Sequence, residues 1–404
     1  MDQFERRDGQ LMLAGVPLDE LAEQAGGTPF YAYDLGLVGE RMRRLRAALP
    51  DGLKIHYAMK ANPHVGVVGA LVRLADGIDV ASAGELAVAL AAGADPTNIS
   101  FAGPGKRDPE LLAAVEAGVL LNVESTGELE RLARATDRAA RPARVALRVN
   151  PDFELKKSGM KMGGGPKPFG IDSEQVPAAL RRVAELGLGF EGFHLFSGSQ
   201  NLRTEAIAEA QLKCFELAIA LAADAPSPVR SLNLGGGFGI PYFPGEQRLD
   251  LAPIAANLAD IAATAARRLA GAELVVELGR YLVGEAGIYV TRVIDRKASR
   301  GHVFLVCDGG MHHHLAASGN FGQIVRKNYP LAIGNRMDEP PSERCSVVGP
   351  LCTPLDLLGD HVDLPRAVPG DLVVVYQSGA YGASASPQAF LSHPPAREIV
   401  VGKA

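Results

Sequence analysis

The chain is poor in cysteine. Cys214, Cys307, Cys345 and Cys352 are scattered through 404 residues without a CxxC pair or the density of a disulfide scaffold, which argues for free thiols in a reducing compartment and against structural zinc. Long apolar runs are missing too: nothing reaches the ~18 residues of a membrane span. The stretch Met1 to Gly9 is charged, so a secretory signal is not expected. Nor is there an excess of positive charge. A net charge of −5 offers no basic field for nucleic acid or anionic lipid. These absences lead to the expectation of a cytoplasmic protein that handles small molecules.

What remains is ordinary for a globular chain, 47% apolar and 22% charged. Its length exceeds the ~250–300 residues at which single cores stop growing, so two domains are expected. From about residue 54 to 280, short apolar or β-branched runs alternate with Ala/Leu-rich stretches of helical spacing. Eight such runs can be counted: Lys54–Met59, Ile78–Ser82, Ile99–Gly103, Leu120–Glu124, Arg144–Asn150, Phe190–Phe196, Ser231–Leu234 and Glu273–Leu278, with helical segments such as Ala83–Ala92 and Ile254–Leu269 between them. Eight βα units predict an α/β fold, a (β/α)8 TIM barrel over residues 28–283.

Beyond Gly284 the rhythm becomes β-rich, in Ile288–Val293, His302–Cys307, Ser346–Val348, Asp371–Tyr376 and Glu398–Val401. Residues 284–404 are therefore read as a second, mainly β domain of sandwich or barrel-like type. Residues 1–27 carry a strand-like Gln10–Leu13 and a short helix, Leu18–Ala25, and are expected to join it.

Active sites of such barrels lie at the C-terminal ends of the strands. Strand one ends in YAMKAN, Tyr57 to Asn62. A lysine there is placed for partial desolvation, which frees a neutral amine for Schiff-base chemistry with an aldehyde, although Lys60 read alone is equally a solvated strand-end lysine. Strand seven runs into Gly235-Gly236-Gly237-Phe238-Gly239, where backbone N–H groups can approach a phosphate, as barrels often arrange after strands seven and eight. A glycine run is also a common turn, or half of a dinucleotide fingerprint, but the latter belongs near a first strand. Strand eight ends in Glu277-Leu278-Gly279-Arg280, a carboxylate and a guanidinium that are either site groups or a plain ion pair.

Together these strand ends resemble the barrel-type pyridoxal-5′-phosphate (PLP) decarboxylases of the diaminopimelate, ornithine and arginine decarboxylase family, from about residue 28 to the C-terminus. The resemblance implies a PLP cofactor, with Lys60 as the Schiff-base lysine, Gly235, Gly236 and Gly237 as the phosphate loop, and Glu277 as the partner of the pyridine nitrogen. Gly279 and Arg280 fall in the same strand-eight segment. Ser199 in SGSQ and Tyr381 in SGAY look like further phosphate ligands, and His194 resembles the family's first histidine on strand six. Cys352 in GPLCTPLD resembles the thiol that protonates the substrate carbanion across a dimer interface, while by composition alone it is expected to be a buried apolar residue. Asp79 in DVASAGEL either orients the cofactor region or starts a helix.

Two departures bear on substrate. Where the family usually stacks a histidine on the ring, this chain has Phe196, in His194-Leu195-Phe196-Ser197-Gly198-Ser199; its ring can stack but neither donates a hydrogen bond nor titrates. Where enzymes of diamino acids usually place an acid after the cysteine, Thr353 and Pro354 follow here, with Asp356 further along. The runs KMGGGPKPFGID, NLGGGFGIPYF, DGGMHHH and GPLCTP are similar to two subgroups, the exosortase-associated PLP decarboxylases and the butirosin-pathway decarboxylase of a carrier-tethered glutamyl group. Arg326 and Tyr329 in VRKNYP resemble a segment that binds substrate carboxylate. The run His312-His313-His314 points in diverging directions and lacks an acid-and-histidine spacing, so no metal is expected.

The expected protein is a homodimeric PLP decarboxylase, with active sites at the interface, of an amino acid or amino-acyl derivative, small or carrier-tethered. Its rivals are an amino-acid racemase of the same plan, which Glu277 argues against, and a non-catalytic PLP-binding regulator, which would have no use for about 120 further residues.

Overall fold

A computed structural model describes residues 1–153, 160–161, 164–321, 323 and 326–404. It divides into two compact units, one of Met42–Ile240 with Gln247–Tyr281, the other of Met1–Arg41, Pro241–Glu246 and Leu282–Ala404.

The first unit is the barrel. Its eight parallel strands, in chain order, are Lys54–Ala58, Gly77–Val80, Ile99–Phe101, Leu120–Val123, Arg144–Asn150, Gly189–Leu195, Ser231–Gly236 and Glu273–Leu278. Strand one pairs with strand eight as well as strand two, and the circle closes without an edge. A short Ile171–Asp172 strand adds to strand five. The same local device recurs after strands two and four. In VASAGE and VESTGE, Ser82 and Ser125 cap the following helices by accepting from the backbone N–H of Glu85 and Glu128 at 3.1 and 3.2 Å, which turns the chain from strand to helix and satisfies an orphan donor. The helix Thr126–Ala139 then buries Leu129, Leu132 and Ala135 at helical spacing.

The second unit is mainly β. The strands Leu331–Ile333, Leu372–Val375, Gly287–Ser299, His302–Cys307, Glu343–Val348 and Leu357–Leu364 lie side by side in that order. Phe30–Asp34 pairs with Gly287–Ser299, and Arg397–Val401 pairs with Phe30–Asp34. This places the β unit's N-terminal share beyond the sequence-based limit at residue 27. FYAYD is buried throughout and hydrogen-bonded on both sides, so it cannot be separated from that sheet. Gln10–Leu13 forms a small antiparallel sheet with Arg6–Arg7 and Val16–Pro17. Its Leu11 and Leu13, with Leu18 and Leu21 of the following helix, join Phe30, Val290 and Val374 in one apolar core. No described helix is long and apolar enough to cross a membrane.

Candidate active site

Strand one delivers Lys60 at the barrel's C-terminal end. The chain leaves the strand through a single turn, Met59–Ala61, closed by the Asn62 N–H donating to the Met59 carbonyl at 3.0 Å and pinned by the Tyr57 hydroxyl donating to the Asn62 carbonyl at 2.8 Å. Lys60 rides on that turn, 46% exposed, with its Nζ 3.8 Å from Glu277 Oε1 and 5.6 Å from the centroid of the Phe196 ring. Register accounts for the approach, because Glu277 of strand eight lies opposite His56 of strand one.

Glu277 is buried, and burial alone would raise its pKa. The opposing groups win. His194 Nε2 sits 2.8 Å from Glu277 Oε2, Lys60 and Arg148 add positive charge, and the carboxyl falls well below the usual carboxylate range. Asn233 Nδ2 also donates to Oε2, at 3.3 Å. An ionised acid in the barrel interior is thus held by groups from four elements.

The glycine run forms a turn that side chains could not make. Gly235 and Gly237 have φ of +68° and +78°, in the left-handed region that favours glycine. A Cβ on Gly236 would lie 1.9 Å from the Glu277 carbonyl, and one on Gly237 would lie 2.2 Å from the Gly198 carbonyl. The turn is therefore packed against strand eight on one side and the Gly198–Ser199 segment on the other. Ser199 Oγ is buried and meets no hydrogen-bond partner among the described residues. Gly279 abuts the end of strand one, where a Cβ would meet Ala61 at 2.9 Å and the Ala58 carbonyl at 3.0 Å, and Arg280 beside it is half-buried.

Asp79 is the penultimate residue of strand two, opposite Ala58 of strand one. Its Oδ1 meets His56 Nδ1 at 3.0 Å and accepts a hydrogen bond from Ser100 Oγ, while its buried Oδ2 has no partner among the described residues. Helix capping after strand two falls to Ser82 instead. Around this set lies a charged layer that sequence reasoning missed. Glu124 accepts from Arg148 Nη1 at 2.7 Å and from the Gly170 N–H at 3.1 Å. Lys106, fully buried, donates to Glu128 at 2.6 Å. Gly170 ends the KPFG part of the KMGGGPKPFGID run; Met162 and Gly163 of that run lie outside the described residues.

The β unit carries the remaining candidates. Cys352 is exposed, the other three cysteines are buried, and all four are free thiols. Its loop, with Thr353 half-buried beside it, is anchored by Asp356, whose carboxylate accepts from the N–H of Leu351 at 2.8 Å and of Met311 at 2.6 Å. Glycine is required where that carboxylate sits, since a Cβ on Gly310 or Gly349 would lie 2.1 or 2.4 Å from it. Tyr381 adopts φ of +54°, half-buried, with its ring 6.4 Å from Phe321. Arg326 spends two donors on the carbonyls of Ser318 and Leu357, at 3.0 and 2.7 Å, and Tyr329 packs on Tyr242 at 4.6 Å between centroids. In the histidine run, His314 Nδ1 accepts from the Ala317 N–H and Nε2 meets Ser378 Oγ. No group of three or more metal-ligating side chains occurs among the described residues.

The barrel set fits a small molecule with a phosphate, an aldehyde and a basic ring nitrogen. The amine, the ionised acid, the side-chain-free turn and the orphaned Ser199 hydroxyl are the complementary groups, all within one unit.

Comparison with known proteins agrees. Residues 35–284 match the family described as pyridoxal-dependent decarboxylase, pyridoxal binding domain. The chain is 41% identical over 379 residues to the L-glutamyl-[BtrI acyl-carrier protein] decarboxylase of Niallia circulans, covering 92% of this chain and 88% of that protein. It is 34% identical over 401 residues to the diaminopimelate decarboxylase of Aquifex aeolicus, covering 98% and 92%. Among solved structures, diaminopimelate decarboxylase of Helicobacter pylori complexed with L-lysine superposes with a TM-score of 0.83 at 28% identity, covering 95% of this chain and 94% of that one.

Proposed function

The chain belongs to the pyridoxal-dependent decarboxylase family and is a carboxy-lyase that uses PLP, and from that premise we propose that Lys60 is the amine that holds the cofactor's aldehyde. The observation that carries this reading is the approach of Lys60 Nζ to Glu277 Oε1 at 3.8 Å beside the glycine turn.

When bound, the cofactor supplies an electron sink for the bond that loses CO2. Glu277, kept ionised by its neighbours, favours a protonated ring nitrogen. The N–H groups of Gly236 and Gly237, in a turn shaped by Gly235, would bind phosphate together with the hydroxyls of Ser199 and Tyr381, and Arg280 would meet phosphate or the substrate carboxylate. Gly279 lets strand eight close on Lys60, Phe196 offers an aromatic face to the ring, and Asp79 orients the polar end of strand two. His194 acts through Glu277. Cys352, contributed from the second subunit of a homodimer, returns a proton to the α-carbon. Support for a dimer comes from large exposed apolar side chains on the β unit, Phe321, Leu355, Phe390 and Leu391. A cytoplasmic location fits four free thiols.

For the substrate, we favour an amino-acyl group whose distal end carries no free ammonium. Thr353 and Pro354 stand where an acid would be wanted for that ammonium, and the 41% identical relative acts on a carrier-tethered glutamyl group. Arg326 and Tyr329 are weaker substrate contacts, given how their side chains are engaged.

The test has two arms. Purified protein with added PLP is expected to show a visible Schiff-base band that Lys60→Ala abolishes; a wild type that stays colourless overturns the lysine assignment. CO2 release is then compared between a glutamyl-carrier conjugate and free diaminopimelate, ornithine and lysine. Faster release from a free diamino acid overturns the substrate reading, and racemisation without CO2 would favour the racemase plan.

A further inference from the structure

Asn233 opens the NLGGGFGIPYF run but has no role assigned above, yet it touches both ends of the cofactor site. It sits on strand seven opposite His194 of strand six, two residues before the glycine turn, and is buried. Its Oδ1 accepts from the Gly235 N–H at 2.8 Å, and its Nδ2 donates to Glu277 Oε2 at 3.3 Å. The amide's orientation is dictated by chemistry, since a backbone N–H only donates and a carboxylate only accepts. With His194 Nε2 also on Oε2 at 2.8 Å, that oxygen is doubly occupied, and Oε1 is the one turned toward Lys60.

Resting on the reading that this site holds PLP, we propose that Asn233 is a positioning residue that ties the phosphate turn to the ring-nitrogen acid, so that the two ends of the cofactor site are set by one side chain. Without it the left-handed Gly235 loses the side chain that fixes its N–H, and the Glu277 carboxylate is left to His194 and Lys60. Only a group of this length with an acceptor and a donor on one carbon serves both contacts.

Asn233→Asp separates this role from simple space-filling. The two side chains have the same shape, and an Asp oxygen still accepts from Gly235. Ionised, however, it faces Glu277 with like charge; protonated, it donates to Glu277 as the amide did. The PLP dissociation constant and the visible band of the full-length protein are measured at about pH 5.5 and about pH 8.5, each against wild type at the same pH. Burial beside a like charge is expected to raise the pKa of the new carboxyl by roughly 3 units, to between the two pH values. Affinity should then stay close to wild type at the lower pH and be about tenfold weaker at the higher. Equal loss at both pH values, or no loss at either, overturns the proposal. Should the Asp variant fail to fold, Asn233→Ser decides, since it drops the donor to Glu277: weaker PLP binding and a changed band at both pH values support the tie, and wild-type behaviour overturns it. A wild type with no Schiff-base band would count against Lys60 instead, so the two failures are distinguishable.

Discussion

His56 in the barrel and His314 in the β unit are both withdrawn from water, and their protons respond in opposite directions. Burial would lower His56, but Asp79, 3.0 Å away, with Glu277 and Asp76 beyond it, raises its pKa above the usual histidine range. His314 has a serine hydroxyl and a backbone N–H instead of a carboxylate, and burial pushes its pKa down to about 3. The barrel end is thus built from compensated charges, Lys60, Arg148 and Glu277 among them, whereas the β unit buries His312 and His314 neutral. A cluster of compensated charge is prepared for a charged ligand; a neutral imidazole supports a loop, here by fixing His314 between Ala317 and Ser378.

The largest effect should come from stripping compensation out of the barrel. Lys106 and Glu128 are 1% and 0% exposed and form an ion pair at 2.6 Å. Lys106→Met leaves the buried Glu128 unpaired and is expected to cost about 3–5 kcal/mol in urea unfolding, while adding Glu128→Leu should recover most of that. A single variant as stable as wild type would mean that this layer is not held by its charges.

The β unit should respond to acid. His314 has its ordinary pKa of ~6.5 when unfolded and about 3 when folded. The unfolded chain therefore takes up the proton first, so the contribution is complete above ~6.5 and is lost as pH falls toward 3. His314→Gln removes this dependence. Between about pH 7 and pH 4 the variant's stability should fall by up to about 3 kcal/mol less than that of wild type, read from denaturant midpoints. Parallel pH profiles would show that His314 is not excluded from charge.

The eight barrel strands were legible because each is a short apolar run bounded by turn residues, and the strand-end groups because chemistry collects there. Other features were not. Phe30–Asp34 went unread because its partners are more than 250 residues away in the chain, and Leu357–Leu364 because LLGDHVDL mixes polar residues into the strand. Within the site, Lys60, Glu277 and the glycine run stand at recognisable strand ends, but His56, Ser100, Arg148 and Asn233 lie inside strands. Their significance depends on register across the barrel, as in the Asn233 bridge between strands seven and eight. Pattern along one strand carries no record of its neighbours.

The smallest effect is the mirror image of the acid test. Because His56 is raised when folded, the stability from its pairing with Asp79 is fully present below the ordinary histidine pKa and is lost as pH rises through the elevated folded value. His56→Gln should therefore be less stable than wild type in mild acid by about 1 kcal/mol, the net worth of one hydrogen bond, and should approach wild type in alkali. The His314 variant diverges from wild type in acid in the opposite sense, so the two difference curves should have opposite signs below neutrality. If His56→Gln instead gained on wild type in acid, Asp79 would not be holding a charged imidazole, and the contrast between the two regions would fail at the barrel.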